Sequence, residues 1–130
     1  MSLANARPSE KYVPSYQVSG KPFVQQVSVA TTATQLVFPS VTRWIKITNA
    51  TSSDIQVGFS KEGIDGTEHD YWYTIPGISK ADENSTGVWE LRCKEIWLKS
   101  SSGTQAISVV AGLTDIGNLV TALTGSVGVG

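Results

Sequence analysis

The chain has 130 residues, a formal net charge of −1, 40% hydrophobic residues and only 16% charged ones. That length suits one domain with flanking arms and a core that needs no disulfide staples. The near-neutral balance, without any Lys/Arg run, excludes the concentrated basic footprint of a nucleic-acid-binding surface, and one cysteine excludes internal disulfides and cysteine-rich zinc sites.

Residues 1–22 hold three of the five prolines, Pro8, Pro14 and Pro22. Proline fixes its own φ and pushes the preceding residue to extended geometry, so this stretch predicts an extended N-terminal arm, with Tyr12, Val13 and Tyr16 as apolar anchors. The first residues lack an apolar h-region, so no secretory signal is expected. No apolar run approaches the ~20 residues of a membrane span.

From residue 23 the chain reads as short strands. Phe23–Val29 comes first, then Thr34–Phe38, ended by Pro39. Val41–Asn49 and Asp54–Ser60 alternate apolar and polar residues: Val41, Arg43, Ile45 and Ile47 fall on one parity, and Ile55, Val57 and Phe59 repeat the device. Strict alternation marks a strand with one buried face. Two such runs joined by a short Asn/Ser/Asp link predict antiparallel neighbours. Residues 61–70 are polar and glycine-bearing, hence a loop. Tyr71–Ile75 is strand-like, Ile78–Thr86 loop-like, and Gly87–Arg92, Lys94–Ser100 and Gln105–Ala111 complete the set. The alternation slips at Cys93-Lys94, so Val88–Leu98 reads either as one bulged strand or as two short ones. Asp115–Leu123 has helical spacing at Ile116, Leu119, Val120 and Leu123, weakened by Gly117 and Gly125. The division expected is an arm over 1–22, a β domain over 23–116 and a tail over 117–130.

About eight strands at roughly ten-residue spacing, punctuated by Gly, Pro, Ser and Asn, predict an all-β fold. The expected form is a single antiparallel β-sandwich, jelly-roll-like, with extended N- and C-terminal arms.

Residues able to carry chemistry are sparse. His69 is the only histidine, so it cannot build a zinc site alone. Glu62, Asp65, Glu68 and Asp70 do not match the calcium-loop spacing, and no Gly-x-Ser-x-Gly elbow is present. Neither a cofactor nor a metal is expected. Glu90 and Glu95 are the one pair of carboxylates from which a hydrolase reading can start; outward strand positions explain them as well. Cys93 reads as a small buried hydrophobe. Asn49-Ala-Thr51 and Asn84-Ser-Thr86 match the glycosylation sequon and are read as polar turns.

The tryptophans are the better lead. Trp44 alternates against Ile45 and Ile47, and Trp97 lies between Ile96 and Leu98, so both face away from the core. An outward indole suggests a covered surface. Three readings stay open: a protein interface, a sugar-stacking platform, and packing within the chain.

The runs Trp44-Ile-Lys-Ile-Thr-Asn49 and Ile55-Gln-Val-Gly-Phe59, with the late Ile107–Ile116 stretch, resemble small virion proteins of bacteriophages. The similarity is to the β-sandwich or jelly-roll decoration (cement) proteins of icosahedral heads, and it spans roughly residues 23–116. It implies a non-enzymatic protein, made in the host cytoplasm and located in the virion. Such a protein forms a homo-oligomer, often a trimer, and clamps the major capsid protein. The contact residues expected are Tyr12, Val13, Tyr16, Trp44, Trp97, Leu119, Val120 and Leu123. A minor capsid, penton, tail or fibre-base protein would share these features, and a carbohydrate-binding module is the alternative from another class.

Overall fold

The computed structural model describes residues 21–66, 70–78, 84–117 and 129. Among these residues seven strands are formed: β1 (Lys21–Val29), β2 (Thr34–Val37), β3 (Ser40–Thr48), β4 (Ile55–Gly58), β5 (Tyr73–Ile75), β6 (Glu95–Ser100) and β7 (Gln105–Gly117). They make two antiparallel sheets, ordered β1-β7-β3 and β2-β6-β4-β5. The only helix among the described residues is α1 (Lys61–Asp65). Ser60 caps it, its Oγ accepting from the Gly63 N–H at 3.0 Å and donating to the Val129 carbonyl.

An irregular eighth segment, residues 84–93, runs antiparallel along the outer edge of β3. Asn49 N–H donates to the Asn84 carbonyl (2.7 Å), Thr86 N–H to Ile47 (2.9 Å) and Thr42 N–H to Cys93 (2.9 Å). Ile45 and Trp89 exchange both bonds, at 2.9 and 2.8 Å. With this segment counted, the first strand pairs with the last, the second with the last but one, and so on inward to β4 with β5. That nested pairing across two sheets is the jelly-roll connectivity expected from the sequence.

The alternating residues of both sheets meet between them. Ile45, Ile47, Ile55, Ile75, Ile96 and Leu98 are all fully buried, and each such side chain contributes roughly 1.5–3 kcal/mol of apolar burial. Phe23 closes one side of this core edge-on against Phe38, ring centres 5.4 Å apart. Cys93 is buried with it, as its sequence setting suggested.

The stretch 61–70, expected as a loop, opens with the helix α1, and four further expectations are corrected. First, β3 and β4 are not paired neighbours; they belong to opposite sheets. Asn49, fully buried, makes the crossing. Its Nδ2 donates to the carbonyls of Ser53 (2.7 Å), Ile75 (3.2 Å) and Pro76 (3.2 Å), while its Oδ1 accepts from Thr51 N–H (3.0 Å) and Oγ1 (2.6 Å). The short polar link is therefore an arch hooked onto the end of β5, and the first sequon is a closed turn. Second, Arg43 does not continue the inward parity of β3. Thr42 faces Leu113 and Trp44 faces Gly112, so Arg43 is the extra residue of a bulge and turns partly to solvent. Third, Asp115, Ile116 and Gly117 belong to strand β7 rather than to a helix; the rest of that helical spacing lies outside the described residues. Fourth, Gly87–Arg92 is not a regular strand; of the two readings left open for Val88–Leu98, the structure has two pieces, crossing from one sheet to the other after Cys93.

Candidate interaction face

Along one side of the sandwich, β5 borders one sheet and residues 84–93 border the other. Three aromatic rings close that side. Tyr73 of β5 meets Trp89 edge-on, with ring centres 5.2 Å apart and planes at 82°. Phe59, just beyond β4, also meets Trp89, at 6.3 Å and 48°. The backbone of Trp89 is fixed by its two bonds to Ile45, so the indole has a rigid base.

Thr42 and Thr86 hold the segment that carries this cluster. Thr42 Oγ1 donates to the Leu91 carbonyl (2.7 Å) and accepts from Cys93 N–H (3.1 Å). Thr86 Oγ1 accepts from Ile47 N–H (3.0 Å). Gly87 follows at φ +69°, a left-handed turn that glycine adopts without steric cost. The turn presents Val88 outward.

The result is an apolar surface facing water. Val88 is 62% exposed and Tyr73 52%, with Leu91 beside them also exposed. A depression of about 390 Å³ runs between Phe59, Val88, Trp89 and Leu91. A second of about 320 Å³ adjoins it at Thr42, Arg43, Glu90 and Arg92. Trp, Tyr and Arg are the residue types that carry most binding energy in protein interfaces.

The residues expected to make contacts are distributed otherwise. Trp44 and Trp97 face away from the core as parity required, but both are only half-exposed. Trp44 lies over Gly112, its partner on β7, where a Cβ would collide with the indole. Trp97 stands opposite Gly58 on β4. The same outer face carries Ile64 of α1, 3.4 Å from where a Gly58 Cβ would stand, and α1 is tied to β6 by Asp65–Lys99 at 3.2 Å. The Trp97 Nε1 is buried and has no hydrogen-bond partner among the described residues. Tyr12, Val13, Tyr16, Leu119, Val120 and Leu123 lie outside the described residues, as does His69. From the sequence, Tyr73 and Trp89 lie in or beside strands and suit a sugar platform, a protein contact or core filling alike. Their outward role depends on β5 and residues 84–93 sharing one side, which no local pattern encodes.

No protein-family model, curated protein or solved structure matches this chain.

The carboxylates do not form a groove pair. Glu90 is exposed on the edge segment, whereas Glu95 belongs to β6 in the opposite sheet and accepts from Gln35 Nε2. Among the described residues no three His, Cys, Asp or Glu side chains gather as a metal site, and no helix is long and apolar enough to cross a membrane. The Cys93 thiol is pushed up from its ordinary value by burial, an effect the Thr42 hydroxyl at 3.3 Å partly offsets. The chemistry this side of the molecule offers is desolvation of apolar side chains beside two guanidinium groups.

Proposed function

We propose that this chain is a structural virion protein, most simply a decoration protein that binds and stabilises the major capsid shell, and that it does no catalysis. The observation that carries the reading is the rigid Tyr73–Trp89 face with Val88 and Leu91 exposed on it. An apolar surface of this kind gains free energy when a partner covers it. Arg43 and Arg92 border the adjoining depression. The jelly roll supports the same reading by analogy, since capsid proteins use that architecture, as do lectins and cupins.

The sugar-binding alternative is less well served by this geometry. A flat stacking platform needs ring faces presented side by side, and here Tyr73 and Trp89 stand nearly perpendicular.

Mass spectrometry of purified virions encoded with this gene tests the proposal. Many copies of the protein per particle are expected. Intact, complete virions without it would sink the reading.

A further inference from the structure

The opposite side of the sandwich ends in β1, and the hydrogen-bond pattern fixes which way its backbone groups point. Ile45 and Ile47 of β3 direct their N–H and C=O groups to residues 84–93. In an antiparallel ladder these groups alternate in direction along each strand. Lys46 and Thr48 therefore bond to Val110 and Ser108 of β7, while Val109 and Ala111 turn the other way, to Gln25 and Phe23 of β1. It follows that Val24, Gln26 and Ser28 aim their N–H and C=O groups away from the sheet. Pro22, which has no N–H, falls at the same outward parity, where an edge strand tolerates it.

Among the described residues β1 pairs only with β7. Its side is open to water: Val24 is 71% exposed, and Pro22, Gln25, Gln26 and Ser28 are exposed as well. The strand runs nine residues without a bulge. Its one charge, Lys21, sits at the end and is paired with Asp115 at 2.6 Å. Natural edges of this length are normally blunted by charges, bulges or cover; β1 has only Pro22 at its start.

We infer that β1 pairs antiparallel with β1 of a second copy across a two-fold axis, with Gln26 opposite Gln26. This goes beyond the virion reading and does not depend on it. The occupant follows from the edge itself. An outward row of alternating donors and acceptors takes an extended strand. With Gln26 on the axis, Val24 stands opposite Ser28, and every outward N–H and C=O of those three residues is matched. Pro22 falls just past the end of the ladder. The even register also keeps the two faces aligned, so Phe23 meets Val29 on the core side. No like charges are brought together, because nothing between Pro22 and Val29 is charged. The joined sheet would run β3-β7-β1-β1-β7-β3, an isologous interface.

Sedimentation of the full chain over a range of concentrations reads the oligomer. A reversible dimer is expected, and Gln26→Pro should make it monomeric with an unchanged circular dichroism spectrum, because that N–H does not bond β7. A second variant guards against misfolding by the first. Gln26→Cys should form an intermolecular disulfide under mild oxidation, since paired Cα atoms about 5.5 Å apart lie within disulfide reach; Glu90→Cys, exposed on the segment that borders the far edge of β3, should not. A monomer at every concentration overturns the inference. So does a trimer, or a dimer that Gln26→Pro leaves intact while Gln26→Cys fails to cross-link.

Discussion

The indole of Trp44 lies across Gly112, its cross-strand partner, so that the missing side chain on β7 is what makes room for the ring. The pair explains how an outward tryptophan is kept partly dry without a second protein. Gly112→Ala should lift the ring and cost about 1–3 kcal/mol of stability, the usual penalty of overpacking. In Trp44→Ala the same glycine substitution should be nearly neutral, a non-additivity that urea titrations of the two single variants and the double variant would measure.

Asn49→Ala should cost roughly 3 kcal/mol, because the carbonyls of Ser53, Ile75 and Pro76 lose a shared donor inside the protein. Asn49→Asp should be worse at neutral pH, since it sets a carboxylate against those same oxygens. Thermal unfolding followed by tryptophan fluorescence would rank the two. The ordinary reading of Asn49-Ala-Thr51 as an accessible sequon predicts instead that both are tolerated.

Val88→Asp separates binding from folding. The side chain is 62% exposed, so stability should change by no more than about 0.5 kcal/mol. On the virion role proposed above, affinity for capsid shells should fall at least tenfold, or about 1.4 kcal/mol, as read by co-sedimentation. Trp89→Ala, in contrast, should weaken both, because its ring is packed against Phe59 and Tyr73.

Gly87→Ala should destabilise by about 1–2 kcal/mol through the backbone alone, since nothing stands within 4 Å of an added Cβ and φ is +69°. Gly87→Asn should recover much of that loss, as Asn tolerates the left-handed region. Denaturant midpoints would show the order Gly, Asn, Ala.

Burial raises the Cys93 thiol above its ordinary 9.0. The folded state therefore holds this proton more tightly than the unfolded state does. Its contribution is fully present below the unfolded value and is lost as pH climbs through the folded one. The stability of the parent relative to Cys93→Ala should be constant at neutral pH and decline above about pH 9. Alkylation by iodoacetamide should be slow in the native protein and rapid in urea.

Periodicity made the strands and the nature of the core legible, because Ile45, Ile47, Ile96 and Leu98 alternate as a half-buried sheet must. The outward parity of Trp44 and Trp97 was legible for the same reason. What covers them was not, since Gly112 and Gly58 are brought alongside by pairings far apart in sequence. The Asn49–Asp54 link suits a hairpin and an arch equally well; only the carbonyls at the end of β5 decide between them. Arg43 misled because a bulge has no signature in alternation. The Tyr73–Trp89 face stayed hidden because its halves lie on the margins of different sheets.

The pairing of β1 with β7 also bears on how the molecule comes into being. Gln26 and Ser108, bonded through their side chains, stand 82 positions apart in sequence. The sheet they share cannot close until nearly the whole domain has left the ribosome. Native structure so dominated by distant partners must meet the loop-closure cost before it gains the contacts, which places folding in the range of about milliseconds to seconds. Until β7 arrives, β1 is without the one strand that it pairs with among the described residues.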